Sequence, residues 1–346
     1  MELEGPKVHE RIGICHWREG KNMKNIRKIV RSKLESYGSA QLVRLFGEEA
    51  VPSLWLEAHP ESRVDANVFL REMIESGQPF CAARLGNDEF EILRQWNRTQ
   101  NSGKTRGIFE MLAVGDPWFS LVRSRYRIER AGLRPLNDEV KDRFSSLYTN
   151  ALHQIDILGS WLKGENFFAD YFAKPKSCPL FELEPYRSRY PWSQALARKR
   201  VLVIHPFEVS IRTQFLHKRA QIFDDPYVLP DFDLETLKPP QAHFSEISDA
   251  ENWFSLFEDL VSQVMQRDFD LAIIGAGPFG LPLAAEVKKM GKQAVHLGGA
   301  TQVLFGIMGR RWDSDDWVCG LQNENWVRPR ADETPGHRAT RRSPYW

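Results

Sequence analysis

The chain has 346 residues, of which 42% are hydrophobic and 27% are charged, and its formal net charge is +1. This is an ordinary globular composition, and the small net charge gives no electrostatic support for binding to nucleic acid or to an anionic membrane surface. No stretch of about eighteen uninterrupted apolar residues occurs, so we expect no transmembrane segment.

The N-terminus is polar and lacks the apolar stretch of a secretory signal. The cysteines are far apart and form no CxxC pair, which suits free thiols in a reducing compartment better than a zinc site or a disulfide framework. They are Cys15, Cys81, Cys178 and Cys319. Both observations lead us to expect a cytoplasmic protein.

The first third of the chain contains an extension and one clear helical pattern. Residues 1–60 show little patterning, and we interpret them as an N-terminal extension. Between residues 64 and 76, the spacing of Val68, Phe69 and Met73 predicts an amphipathic helix. We expect this helix to open the folded domain.

A short apolar run at residues 80–83 predicts a buried strand. The segment Arg84–Glu91 follows this strand, and a glycine-asparagine pair within it is predicted to form a turn. Asn87 or Asp88 is a suitable cap for the helix that follows. This is the first of three strand–turn–helix units.

The middle of the chain, residues 97–192, has the pattern of helices and loops inserted between strands. A helix is predicted within it at about 137–154. The strand 200–205 and the helix 209–223 form the second strand–turn–helix unit. Short strands are expected at 227–230 and 235–237. An amphipathic helix is predicted at 249–267.

The clearest unit runs from residue 269 to residue 299. An apolar strand at 271–274 is followed by the glycine turn Gly275–Gly280 and then by a helix with an apolar face. Gly291 can adopt the left-handed backbone conformation that commonly ends a helix. A second strand is predicted at 293–297. Together these elements make a complete βαβ unit.

Three such units predict an α/β fold built on a parallel sheet. In a sheet of this kind the carboxyl ends of the strands share one edge, and ligands bind there. The order of the strands cannot be deduced from the sequence, so convergence on that edge is an expectation. The residues expected to converge are Arg84, Asn87, Asp88, Glu89, His205, Gly275, Gly277, His296, Gly298 and Gly299.

The residue types at this edge suggest chemistry on a phosphate-bearing ligand. Asp88, Glu89 and Glu91 offer carboxylates for a divalent cation or for general base catalysis. Arg84 can pair with a phosphate through its planar fork, and His205 can donate to a phosphate or to a sugar hydroxyl. Glycine turns at strand ends allow backbone N–H groups to approach a diphosphate.

Each of these residues also has a structural interpretation. Asp88 in the first turn of a helix is explained by the helix dipole alone. Arg84 can form an internal ion pair, and His205 can be a satisfied structural histidine. Gly275 and Gly277 are needed for a tight turn whether or not a ligand binds.

The turn Gly275-x-Gly277-x-x-Gly280 also matches the local fingerprint of a dinucleotide-binding site. The acidic residue expected about twenty positions later is missing, and His296 lies near the end of the second strand instead. Pro278 reduces the number of N–H groups available to a pyrophosphate. A redox cofactor site is therefore the less favoured interpretation.

Several stretches together resemble the GT-D fold glycosyltransferases. The segment ARLGNDEFEIL at 83–93 resembles the R-x-G-D-G-E-type element of that family, and residues 269–299 resemble its closing βαβ unit. VLVIHPF at 201–207 and TQVLFGIMGRRW at 301–312 resemble further blocks of the family. The resemblance extends over roughly residues 62–312 and is loose between these segments.

The resemblance implies a Rossmann-like domain at residues 61–312, with a helical insertion, and residues 313–346 are expected to form a C-terminal tail packed on it. The implied activity is transfer of a sugar from a nucleotide-diphosphate donor, such as a UDP-sugar, to a carbohydrate or glycosylated acceptor. The metal-binding D-x-E element falls on Asn87-Asp88-Glu89, where asparagine replaces the first aspartate. Mn²⁺ or Mg²⁺ is therefore expected at Asn87 and Glu89.

We assign catalytic roles to Arg84, Asp88, Glu89 and His205. Donor-binding roles are assigned to Gly86, Gly275, Gly277, Gly298 and Gly299. Two alternatives are kept: a non-catalytic nucleotide- or sugar-binding protein of the same fold, and a less favoured NAD(P)- or FAD-binding oxidoreductase.

Overall fold

The computed structural model describes residues 53–100, 131–133, 137–241 and 250–334. Most of the predicted N-terminal extension, part of the insertion at 101–130 and the end of the predicted tail lie outside the described residues. Within the described residues, no helix is both long enough and apolar enough to cross a membrane.

The described chain contains α-helices and β-strands, which alternate regularly only from residue 200 to residue 296. The helices are α1 Trp55–Ala58, α2 Ala66–Ser76, α3 Asn87–Gln100, α4 Asp138–Leu152, α5 Glu208–Ile222, α6 Ala250–Met265, α7 Gly280–Lys289, α8 Ala300–Leu304 and α9 Asp316–Leu321. The strands are β1 Phe80–Ala83, β2 Ile157–Ser160, β3 Lys176–Pro179, β4 Arg200–Ile204, β5 Asp233–Leu237, β6 Leu271–Ile274 and β7 Gln293–His296.

The strands form one seven-stranded sheet in the order β3-β2-β1-β7-β6-β4-β5, and every pair is parallel. The register pairs Ala82 with Val295 and Ile274 with His296, so β1, β7 and β6 end at nearly the same level. The predicted α/β, Rossmann-like parallel sheet flanked by helices is therefore confirmed.

The sheet is covered on both faces, which explains why its central strands are continuous apolar runs. Along β6, Ala272 and Ile274 contact the hydrophobic cluster formed with α3, α4, α6 and α7. Leu271 and Ile273 contact the opposite cluster, formed with α2 and α5. Successive side chains of a strand point to opposite faces, so one apolar strand contributes to both cores.

Most of the predicted elements occur near their expected bounds. The strands at 80–83, 200–204, 271–274 and 293–296 are observed, as is β5 within 233–237. The helices α4, α5 and α6 also agree with their predicted ranges to within a few residues. The central strands and α6 have strong local patterns, and packing did not override them.

Two local predictions were wrong. Residues 227–230 form a turn and no strand, whereas β2 and β3 lie in the middle segment where only helices and loops were expected. In α2, the buried positions are Ala66, Leu70 and Ile74, while Val68 is exposed. Apolar side chains occur on more than one side of α2, so only its contact with the sheet selects the buried side.

The C-terminal segment runs back over the domain. Met308 donates its backbone N–H to the carbonyl of Val327 at 2.8 Å, and the N–H of Val327 donates to Gly306 at 2.9 Å. The indole nitrogen of Trp326 donates to the carbonyl of Ile222, the last residue of α5, at 2.8 Å. The segment therefore crosses close to α5.

Candidate functional site

Four adjacent strands, β1, β7, β6 and β4, carry nearly all of the predicted site residues at their carboxyl ends. The sheet order places β1 beside β7 and β6 beside β4. Arg84, Gly275 and His205 directly follow β1, β6 and β4, and Gly298 lies two residues after β7. The structure therefore brings these residues to one continuous edge. The chains leaving β4 and β6 run to opposite sides of the sheet, which creates the kind of crevice where α/β proteins bind ligands.

Arg84 is held between the ends of β1 and β7. Only 8% of this residue is exposed, and its guanidinium carbon lies 4.6 Å from the centre of the Trp161 ring. Trp161 is itself anchored, because its indole nitrogen donates to the carbonyl of Leu85 at 2.9 Å. A Cβ on Gly298, where φ is +62°, would lie 2.9 Å from an Arg84 nitrogen. Glycine at 298 therefore leaves room for the arginine.

The predicted Asn87-Asp88-Glu89 element forms the first turn of α3. The amide of Phe90 donates to the carbonyl of Gly86 at 2.9 Å, so Gly86 is the cap residue. Asn87 and Asp88, the residues expected to cap this helix, are its first two residues. The Glu89 carboxylate folds back against Gly86 and is buried, whereas Asn87 is exposed and Asp88 is half-buried.

His205 and Gly275 meet between the ends of β4 and β6. A Cβ on Gly275 would lie 2.5 Å from His205 Cδ2, 2.7 Å from the carbonyl oxygen of Gly298 and 2.9 Å from Thr301 Oγ1. His205 Nδ1 accepts a hydrogen bond from the amide of Phe207 at 3.0 Å. Because an amide can only donate, the neutral ring carries its proton on Nε2 and can donate from there.

His296, at the end of β7, is held in the opposite tautomer. Its Nδ1 lies 3.1 Å from the carbonyl oxygen of Ile274, which can only accept, so Nδ1 carries the proton. The ring packs directly against the α-carbon of Gly280. His296 thus fixes the start of α7 on the end of the sheet.

Both histidines are neutral at working pH. Burial lowers the pKa of His205 to about 3. Burial and the charge of Arg84 lower the pKa of His296 to about 3, against the opposing hydrogen bond to Ile274. Of Arg84, His205 and His296, only the arginine therefore brings a positive charge to this edge.

The buried histidines predict a loss of stability on acidification. The unfolded chain takes up protons on histidine near pH 6.5, while His205 and His296 remain neutral until about pH 3. The free energy of unfolding should therefore fall as the pH falls below 6.5, by up to about 1.4 kcal/mol per pH unit for each histidine. Urea unfolding at pH 7, 6 and 5 measures this slope.

His205→Asn tests the assignment, because its amide oxygen can replace Nδ1 as the acceptor for Phe207. Its slope between pH 7 and pH 5 should be smaller than that of the wild type by about one proton. His217→Asn, at an exposed position on α5, is the matched control and should keep the wild-type slope. An unchanged slope in folded His205→Asn would contradict the assignment.

Tyr148 on α4 belongs to this site but was not predicted. It is buried, and its hydroxyl donates to the carbonyl of Pro278 in the glycine turn at 2.5 Å. Burial and the nearby Glu89 carboxylate raise the pKa of the Tyr148 phenol well above its usual range, and Arg84 opposes this shift. Tyr148 therefore links the Arg84–Glu89 segment to the glycine turn.

Trp161 was also missed, although a signal existed. It directly follows β2, so the rule that placed Arg84 at a strand end would have placed Trp161 beside it. To place Trp161 at a strand end, residues 157–160 had to be predicted as a strand. Tyr148 gave no comparable signal, because nothing in the pattern of α4 distinguishes it from other buried aromatic residues.

Contacts within the protein explain two of the three glycines in the dinucleotide-like turn. Gly275 makes room for His205 and Thr301, and Gly280 makes room for the His296 ring. Gly277 has a φ of +53°, and no described residue lies within 4 Å of its Cβ position. The turn is therefore accounted for without a dinucleotide, and Gly277 is the one glycine of the three whose Cβ position has no neighbour in the described part of the chain.

The predicted metal ligands do not point toward each other. Positions two apart on a helix are separated by about 200° around its axis, so Asn87 and Glu89 face different sides. Among the described residues, no group of three or more His, Cys, Asp or Glu side chains could hold a metal ion. The residues present do not fit a shared cation at Asn87 and Glu89, and the expected Mn²⁺ or Mg²⁺ stays a prediction.

Comparisons with models of protein families, with curated proteins and with solved structures found no match to this chain. The resemblance to GT-D fold glycosyltransferases therefore rests on the quoted segments. The parallel sheet and the geometry of its carboxyl edge are independent of that resemblance.

Proposed function

We propose that this chain is a glycosyltransferase that moves a sugar from a nucleotide-diphosphate donor to a carbohydrate or glycosylated acceptor. The observation that carries the proposal is the buried guanidinium of Arg84, fixed at the carboxyl edge of a parallel sheet beside a carboxylate-rich helix turn. Leaving-group departure in such a reaction creates negative charge on the diphosphate, and a preorganised cation stabilises that charge.

The donor would lie along the carboxyl edge of the sheet, from Arg84 at the end of β1 to the crevice between β6 and β4. In this position Arg84 pairs with the diphosphate, while the His205 ring, protonated on Nε2, is a neutral hydrogen-bond donor. No described side chain covers Gly277, so a ligand that approaches its backbone meets none of the described residues there. Gly298 serves the site indirectly, by leaving room for the Arg84 side chain.

Glu89 and Asp88 differ in burial, and we assign them different roles for that reason. Glu89 folds back onto Gly86 and shapes the turn after β1, so we assign it a positioning role. Asp88 is only half-buried and can meet an acceptor that enters from solvent. We therefore assign Asp88 as the general base.

The proposed step balances without another reactant. Asp88 takes the proton of the acceptor hydroxyl, and the acceptor oxygen forms a bond to the anomeric carbon of the donor sugar. The bond between that carbon and the diphosphate oxygen breaks, and the diphosphate leaves with the electron pair. Arg84 stabilises the charge that develops on it.

A thermal-shift screen of nucleotides and nucleotide sugars tests the proposal. A ligand that binds only the folded chain raises its Tm, by an amount that grows with concentration relative to Kd. We expect UDP or another nucleoside diphosphate to raise the Tm, and the matching nucleoside without phosphates to have little effect. The absence of a shift with every nucleotide sugar would argue against the proposal.

Calorimetry with Mn²⁺, in the presence and absence of UDP, tests whether the protein binds a divalent cation. Magnesium is often held by few protein carboxylates together with the phosphates of a substrate. We expect Mn²⁺ alone to bind weakly in calorimetry, and any strengthening to require UDP. Equal binding of Mn²⁺ with and without UDP would instead indicate a dedicated protein site.

A non-catalytic nucleotide- or sugar-binding protein is the second candidate. It is favoured by the structural use of several site residues: His205 and His296 each hold a backbone group, and Glu89 packs on its own helix turn. UDP binding without turnover of any donor in a panel would select this candidate. The oxidoreductase alternative has no comparable support, because protein contacts explain Gly275 and Gly280.

A further inference from the structure

The buried carboxylate of Glu333 caps α5 from the C-terminal segment. It accepts hydrogen bonds from the amide of Val209 at 2.7 Å and from the amide of Ser210 at 3.1 Å, and it also bonds to the Ser210 hydroxyl. Glu333 is 6% exposed and lies 124 positions after Val209 in the chain. The amide of Arg330 donates to Ser210 Oγ at 3.2 Å and holds the same segment in place.

This carboxylate occupies a favourable position for an anion. The helix α5 has 15 residues and begins just after β4, so its first amides point toward the carboxyl edge of the sheet. His205 already accepts from the amide of Phe207, and Glu333 takes the amides of Val209 and Ser210. Two amides in the first turn of α5 are thus satisfied by an anion that the chain itself supplies.

Among the described residues, no cation forms a salt bridge with Glu333, although the charge of Arg330 acts on it from a distance. The Arg330 guanidinium is turned toward Asp332, with distances of 2.9 and 2.8 Å. Burying a carboxylate without a salt bridge is costly, so its binding depends on the amides and on Ser210. A phosphate would use the same donors.

A second observation lies on the same crevice. Thr301 is fully buried, and its hydroxyl has no hydrogen-bond partner in the described part of the chain. The hydroxyl faces Gly275 beside His205. Buried hydroxyl groups usually have a hydrogen-bond partner. Because the Thr301 hydroxyl has none among the described residues, it can donate to a ligand that enters between β4 and β6.

We infer that Glu333 is an internal plug, whose carboxylate occupies the position at the start of α5 where this edge binds a phosphate group. Release of residues 328–334 opens that position. The choice of a phosphate-bearing ligand rests on the proposed function. While the plug is in place, apparent affinity for the phosphate is reduced by the fraction of molecules in which the position is open.

The test uses the full chain and three probes: inorganic phosphate, UDP and uridine. Glu333→Ala is expected to bind phosphate and UDP at least about ten-fold more tightly than the wild type in calorimetry, with no gain for uridine. Glu324→Gln changes an exposed carboxylate earlier in the C-terminal segment and should behave as the wild type. A folded Glu333→Ala protein that gains no affinity for phosphate or UDP overturns the inference.

Glu333→Gln keeps the size of the side chain and removes its charge, and it gives the same comparison if the alanine variant does not fold. Hydrogen exchange on the wild type is independent of any variant. Saturating phosphate should increase exchange at residues 328–334 and protect the amides of Val209 and Ser210. Unchanged exchange in both places overturns the plug.

The results separate the plug from the proposed function. If Glu333→Ala binds phosphate but no nucleotide sugar raises the Tm, the inference about Glu333 stands and the proposed glycosyltransferase activity is rejected. A nucleotide-sugar response in the wild type without a gain in Glu333→Ala would keep the glycosyltransferase and reject the plug.

Discussion

Replacing Arg84 with alanine is expected to lower kcat/KM for sugar transfer by roughly 10³-fold, which corresponds to about 4 kcal/mol of transition-state stabilisation. Arg84 is the charged donor fixed beside the crevice, and both histidines there are neutral. Arg84→Lys should recover little, because lysine loses the planar fork and the stacking on Trp161. Steady-state kinetics with the donor found in the screen measures both effects.

The matched control is Arg63→Ala. Arg63 is exposed and pairs with Glu182 at 2.9 and 2.5 Å, beside the outer strand β3. Its loss should change kcat/KM by less than about two-fold. Melting curves of each variant establish that the chain remains folded. Wild-type activity in a folded Arg84→Ala protein would remove Arg84 from the mechanism and with it the main support for the proposed function.

Replacing Glu165 with alanine is expected to cost roughly 3–5 kcal/mol of unfolding free energy. Glu165 is fully buried and accepts hydrogen bonds that tie three parts of the chain together. The donors are the amides of Trp55 at 3.0 Å, Trp161 at 3.1 Å and Leu162 at 3.0 Å, and the hydroxyl of Ser160 at 2.5 Å. Without the carboxylate these buried donors are left without partners.

Urea unfolding measures the cost. Glu165→Gln keeps one oxygen acceptor and should be destabilised less than the alanine variant. Glu258→Ala removes an exposed carboxylate of α6 and should leave the unfolding free energy nearly unchanged. A stable Glu165→Ala protein would mean that the end of β2 and the start of α1 do not depend on this carboxylate. Because Trp161 supports Arg84, a destabilised variant should also bind UDP more weakly.

Much of the site could be predicted because its residues follow short apolar strands. Arg84 follows β1, His205 follows β4 and Gly275 follows β6, and each strand has a strong local pattern. The rule that parallel strands present their carboxyl ends at one edge then predicts convergence. The sheet order shows that these strands are neighbours, which the local patterns could not decide.

Other parts of the site depended on packing between distant segments. Tyr148 reaches Pro278 across 130 positions of sequence, and Glu333 reaches Val209 across 124. The spacing of apolar residues within one segment cannot indicate such contacts, because the hydrogen bonds form only after the sheet has brought the distant segments together. The division between a buried Glu89 and a half-buried Asp88 has the same origin.

The sequence by itself determined the apolar strands, the glycine turns and the residues at the strand ends, since these follow from side-chain periodicity and local backbone preferences. The tertiary structure alone decided which strands are neighbours, which ring nitrogen of each histidine carries the proton, and which carboxylate covers the start of α5. Each of these depends on a group supplied by a distant part of the chain. Their physical origin is the burial of polar groups, which must find partners wherever the fold places them.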